Sequence, residues 1–133
     1  MSHDCILVID DDQDIRETLQ DVLCDAGYSV LLAANGAEAL ALLGVEEPPS
    51  LILLDLKMPG MDAFAFRAAQ AADQRIASVP VVILSASGDL SKDAESLGAA
   101  GYIEKPVKLD MILREVSLRC GTASSGRPMG SSS

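Results

Sequence analysis

Leu51-Ile52-Leu53-Leu54-Asp55-Leu56-Lys57-Met58-Pro59-Gly60-Met61-Asp62 is the stretch that decides the fold. Four apolar residues run straight into a carboxylate, and a Pro-Gly turn signal follows within five positions. A run of this length reads as a strand buried on both faces, as in a parallel sheet. An ionised carboxylate is costly to bury unless it is paired or metal-bound. Asp55 is therefore expected at the carboxyl end of the strand, facing a site, where open α/β sheets bind ligands.

Other segments repeat the pattern. Ile6-Leu7-Val8-Ile9 leads into Asp10-Asp11-Asp12, and Val79-Pro80-Val81-Val82-Ile83-Leu84 ends at Ser85-Ala86-Ser87-Gly88. A weaker run, Tyr102-Ile103-Glu104, ends at Lys105-Pro106. In a parallel sheet all these ends share one edge, so acids, a hydroxyl and an ammonium distant in sequence would converge.

The spacers are helical. Ile15, Leu19, Val22 and Leu23 follow a helical period, with Gly27 as a natural stop. Tyr28 to Ala33 reads as a second strand, and Asn35-Gly36-Ala37-Glu38 as a capping box opening a helix through about Leu43. Residues 63–72 are Ala-rich and helical, Ala94 to Leu97 suggests a short helix, and Leu109, Ile112, Leu113 and Val116 give a last amphipathic one. Alternation of strand and helix implies a parallel sheet covered on both faces, with right-handed crossovers.

At 133 residues the chain is expected to be one domain. No apolar stretch approaches the roughly 18 residues of a membrane span, and the first residues carry no secretion signal, so a cytoplasmic location without membrane insertion is expected. The net charge of −10 argues against direct nucleic-acid binding, which uses clustered Lys and Arg. Cys5, Cys24 and Cys120 lack metal-ligand spacing, and Cys5 and Cys24 read as small buried apolar residues. Residues 120–133 are rich in Ser, Gly and Pro and are expected to form a disordered tail, either a linker or an expression remnant.

Asp10 and Asp11, with Asp55 nearby, would repel one another unless a cation sat among them. Oxygen-only ligands suit a hard cation, and few protein ligands plus retained water favour Mg²⁺ over Ca²⁺. Helix capping is the plainer explanation of Asp12 and Asp14, and taken alone it would serve for the whole acidic run. Two strands ending in acid weaken that account, since capping explains only half of the observation. Lys105 can pair with Asp55 or with a phosphoryl group on it. Ser85 can donate a hydroxyl there, although Ser85, Ser87 or Asp89 would equally cap a helix.

Taken together, Ile-Leu-Val-Ile-Asp-Asp, Leu-Ile-Leu-Leu-Asp-Leu-Lys-Met-Pro-Gly-Met-Asp, Val-Val-Ile-Leu-Ser-Ala and Gly-Tyr-Ile-Glu-Lys-Pro resemble the CheY-like receiver domain of two-component response regulators, over residues 5–119. The resemblance implies a flavodoxin-like, doubly wound five-stranded parallel sheet of order 2-1-3-4-5, a receiver domain spanning residues 1–119, and a site between strands 1 and 3. It makes Asp55 the phosphoacceptor, Asp11 a direct Mg²⁺ ligand and Asp10 an indirect one. The Lys57 carbonyl becomes a further ligand, Ser85 and Lys105 the phosphoryl-binding hydroxyl and ammonium, and Tyr102 an aromatic switch. A cis Lys105-Pro106 bond is also implied. The partners would be a sensor histidine kinase or phosphotransfer protein and a downstream effector, reached through a face of helix 4, strand 5 and helix 5.

The chain departs from the pattern in places. The segment from Ser85 to Lys105 is about two residues short, which implies a short or irregular helix 4. Ala63 follows Met61-Asp62 where the family commonly has Gly, and Lys57 and Ser87 occupy positions that tune dephosphorylation. Two other readings compete. One is a receiver-like module acting by protein contacts alone. The other is a small Asp-x-Asp phosphatase using Asp10 to Asp12, which leaves no room for a cap and Asp55 unexplained. A flavodoxin would require a phosphate-cradling loop and stacking aromatics, and neither is present.

Overall fold

The computed structural model describes residues 4–56, 63–85 and 90–120. In chain order the elements are β1 (Cys5–Ile9), α1 (Gln13–Asp25), β2 (Ser29–Ala33), α2 (Gly36–Val45), β3 (Leu51–Asp55), α3 (Ala63–Ala71), β4 (Val81–Ser85), α4 (Leu90–Leu97), β5 (Gly101–Glu104) and α5 (Leu109–Cys120). All strand pairs are parallel and the sheet order is β2-β1-β3-β4-β5.

The period of two along each strand divides the core. Leu7, Ile9, Ile52, Leu54, Val81 and Ile83 pack with residues of α2, α3 and α4. Their neighbours Ile6, Val8, Leu51, Leu53, Val82 and Leu84 pack with residues of α1 and α5. Both faces are therefore covered, which is why these strands read as unbroken apolar runs.

The helix boundaries have local causes. Asp12 caps α1 by accepting from the Asp14 and Ile15 amides, and Gly27, at a φ of 100°, supplies the left-handed turn after it. Asn35 caps α2 through the Glu38 amide, while the Glu38 carboxylate reaches back to the amide of Ala34, one residue before the cap. Helix α4 begins at Leu90, four residues before the expected start, and its first turn was hidden in the sequence because Ser91-Lys92-Asp93 carry no apolar signal. It is a regular helix of eight residues. Cys5 is partly buried, but Cys24 is exposed, contrary to the sequence reading: one residue past Leu23 turns the side chain off the buried stripe of α1. The expected tail beyond Cys120, and the roles assigned to Lys57 and Ser87, lie outside the described residues.

Candidate functional site

Register brings the site together. Ile9 of β1 pairs with Leu54 of β3, so the next residue on each strand is a carboxylate, Asp10 or Asp55. Asp55 pairs with Leu84, whose successor is Ser85, and Ser85 pairs with Glu104, whose successor is Lys105. Four chemically active residues thus follow one another along the carboxyl edge of the sheet. The alternation of faces puts Asp10, Asp55 and Lys105 toward α1 and α5, in line with Val8, Leu53 and Ile103. Ser85 falls in line with Ile83 on the opposite face.

Asp10 is fully buried and held from several sides. Its amide donates to the Ala33 carbonyl, its carbonyl accepts from Arg16 Nη1 at 2.7 Å, and its Oδ1 accepts from the Asp12 amide at 2.9 Å. Oδ2 lies 3.0 Å from Lys105 Nζ, an ion pair. Lys105 Nζ is also 3.5 Å from Asp55 Oδ1. Burial works against the Lys105 ammonium, but Asp10 and Asp55 together outweigh it and hold its pKa above the usual 10.5.

Asp10, Asp11 and Asp55 each offer a carboxylate oxygen, and these oxygens lie within 4.8 Å of one another. Asp11 is exposed and the other two are buried, so the cluster opens toward solvent on one side. Hard oxygen donors of this density, three carboxylates with the Lys105 ammonium shared between two of them, fit a divalent cation such as Mg²⁺. Ser85 is buried at the end of β4, and its carbonyl accepts from the Lys105 amide at 2.9 Å. Tyr102 is on β5, three residues before Lys105, and is 45% exposed. The Lys105-Pro106 peptide is cis, as the resemblance implied.

Sequence reasoning did not single out Arg16, which grips the peptide joining Asp10 to Asp11. A lone base in an acidic first turn was the available signal. It also missed the fully buried Gln70, whose side chain ties α3 to the segment entering β4.

A doubly wound sheet with an acid cluster and a lysine at its carboxyl edge defines a flavodoxin-like α/β domain. The family model described as "Response regulator receiver domain" matches residues 6–117. The chain belongs to the receiver domains of two-component response regulators, a family of phosphorylation-dependent signalling domains. It is 36% identical to sporulation initiation phosphotransferase F of Bacillus subtilis, over 84% of this chain and 90% of that protein. It is 37% identical to the DNA-binding transcriptional regulator NtrC of Escherichia coli, over 83% of this chain but only 23% of that protein. Among solved structures, chemotaxis protein CheY4 of Vibrio cholerae superposes with a TM-score of 0.82 at 29% identity, covering 89% of this chain and 99% of CheY4. Apart from the sporulation protein, the chain spans between 23% and 55% of the curated relatives compared.

Proposed function

We propose that the chain is a cytoplasmic switch that takes a phosphoryl group from a phosphohistidine onto Asp55. The observation that carries this reading is the placement of Asp55: buried at a strand end, 3.5 Å from an ammonium and beside two further acids. An Asp55 carboxylate oxygen attacks phosphorus as the P–N bond of the donor breaks, and the electron pair returns to the imidazole. The product is an acyl phosphate carrying about two negative charges. Lys105 neutralises part of the charge on the transferred group, and Ser85 donates its hydroxyl to a phosphoryl oxygen. Asp10, Asp11 and Asp55 would hold Mg²⁺, which when bound would supply further charge neutralisation.

A groove of about 240 Å³ lined by Ile15, Thr18, Lys105, Pro106 and Leu109 opens beside the acid cluster, and suits docking of a sensor kinase or phosphotransfer protein. A second hollow, of about 270 Å³, includes Lys105 and Met111 and joins the site to the face of β5 and α5. Tyr102, Met111 and Leu118 are exposed on that face. Phosphate on Asp55 draws Ser85 and Lys105 toward it, Tyr102 changes rotamer, and the α4–β5–α5 face changes its affinity for a downstream effector. Water attack on the acyl phosphate resets the switch.

Incubation with Mg²⁺ and a small acyl phosphate, followed by intact mass measurement, tests this. One hydroxylamine-labile phosphate is expected, dependent on Mg²⁺ and lost in Asp55→Asn. Phosphomonoester turnover that survives Asp55→Asn and stops in Asp10→Asn would instead indicate the phosphatase. No adduct with any donor would indicate a module acting by contacts alone.

A further inference from the structure

Arg16 stands where helix physics does not favour a base. It is the fourth residue of α1, near the positive end of the helix dipole, where a cation costs stability. Its side chain is partly buried rather than extended into water, and Nη1 donates to the Asp10 carbonyl across six residues at 2.7 Å. That carbonyl belongs to the peptide linking Asp10 to Asp11, so gripping it fixes the plane from which the Asp11 side chain departs. The other atoms of Asp10 are already committed, to Ala33, Asp12 and Lys105. Arg16 secures the remaining freedom of the segment.

We propose that Arg16 is a positioning residue for the cation site: it holds the Asp10–Asp11 peptide so that the exposed Asp11 carboxylate faces Asp10 and Asp55. Arg16 itself touches no reacting atom. The proposal rests on the reading of Asp10, Asp11 and Asp55 as a Mg²⁺ site, and it predicts an effect opposite in sign to that of charge alone. Removing a cation beside a Mg²⁺ site would, by electrostatics, tighten Mg²⁺ binding. Removing a positioning residue weakens it, by about tenfold for a group that orients a ligand from behind.

Calorimetric titration of Mg²⁺ into the whole chain, for wild type, Arg16→Met and Arg16→Lys, separates these. Urea unfolding without Mg²⁺ is measured alongside. We expect about tenfold weaker Mg²⁺ binding in Arg16→Met and a smaller loss in Arg16→Lys, which keeps the charge but not the guanidinium fork. Unchanged or tighter binding in Arg16→Met overturns the proposal, even if the urea midpoint falls. If Arg16→Met does not fold, Arg16→Lys decides, and wild-type affinity there overturns it. Absence of Mg²⁺ binding by the wild type overturns the metal reading itself, and the role of Arg16 with it.

Discussion

Lys105 Nζ lies 3.0 Å from Asp10 Oδ2, closer than its 3.5 Å approach to Asp55. The ammonium therefore serves as the counter-ion of the fully buried acid as well as of the proposed phosphoacceptor. Lys105→Gln is expected to leave Asp10 buried without its counter-ion. With Lys105 itself partly solvated, the cost is about 2 kcal/mol rather than the full cost of breaking a buried pair. Urea unfolding with and without millimolar Mg²⁺ checks this: the loss should shrink when the ion is present, because a second cation takes over the charge. An equal loss in both conditions would contradict it.

Gln70 donates from Nε2 to the carbonyls of Ile76 and Val79 and accepts from Arg67 Nη1 at 2.6 Å, while Arg67 Nε donates to the Leu97 carbonyl. This network fastens α3 to the segment entering β4 and to the end of α4. Gln70→Leu keeps the volume but takes a donor from the part-buried Val79 carbonyl and the acceptor from Arg67 Nη1, while the Ile76 carbonyl keeps the Val79 amide, and it is expected to cost about 2 kcal/mol by urea denaturation. A midpoint unchanged from wild type would show that water satisfies these groups instead.

The Cys120 thiol, pushed by burial and then by the Asp4 charge from 9.0 up to about 11, makes stability depend on alkaline pH. Below pH 9.0 the thiol is protonated in the folded and unfolded chains alike. Above that the unfolded chain ionises first, so stability falls as pH rises toward the folded value. Lys105, its pKa raised above 10.5, adds stability that is present below that value and is lost above its folded pKa. The urea midpoint should therefore drop between pH 9 and 11, and Cys120→Ala should flatten the first part of the drop. Parallel curves for the two proteins would exclude the thiol as the cause.

The strands were legible because each strand of a covered parallel sheet is an apolar run, and because Asp55, Asp10 and Lys105 punctuate the ends of three of them, whereas their order in the sheet was implied only by the resemblance to receiver domains. Helices with a buried stripe, such as α1 and α5, were legible for the same reason. The start of α4 was hidden because Ser91, Lys92 and Asp93 repeat no apolar position. Cys24 was misjudged because residue type says little about which side of a helix a short side chain takes. Arg16 and Gln70 were missed because each acts on backbone carbonyls, and a carbonyl leaves no mark in the sequence.

Apolar residues on both faces of β1 and β3 have a further consequence for how the sheet finds its pairing. A slip of one residue normally exchanges a buried face for a wetted one, and that mismatch enforces alignment. Here both faces of these strands are oil, so sliding Ile6–Ile9 past Leu51–Leu54 by one step would cost little in hydrophobicity. What such a slip would do is drag Asp10 or Asp55 toward the sheet interior, away from Lys105. The acids at the edge thus act as stops that index the two central strands, and neutralising both would be expected to loosen the alignment of the sheet as well as its chemistry.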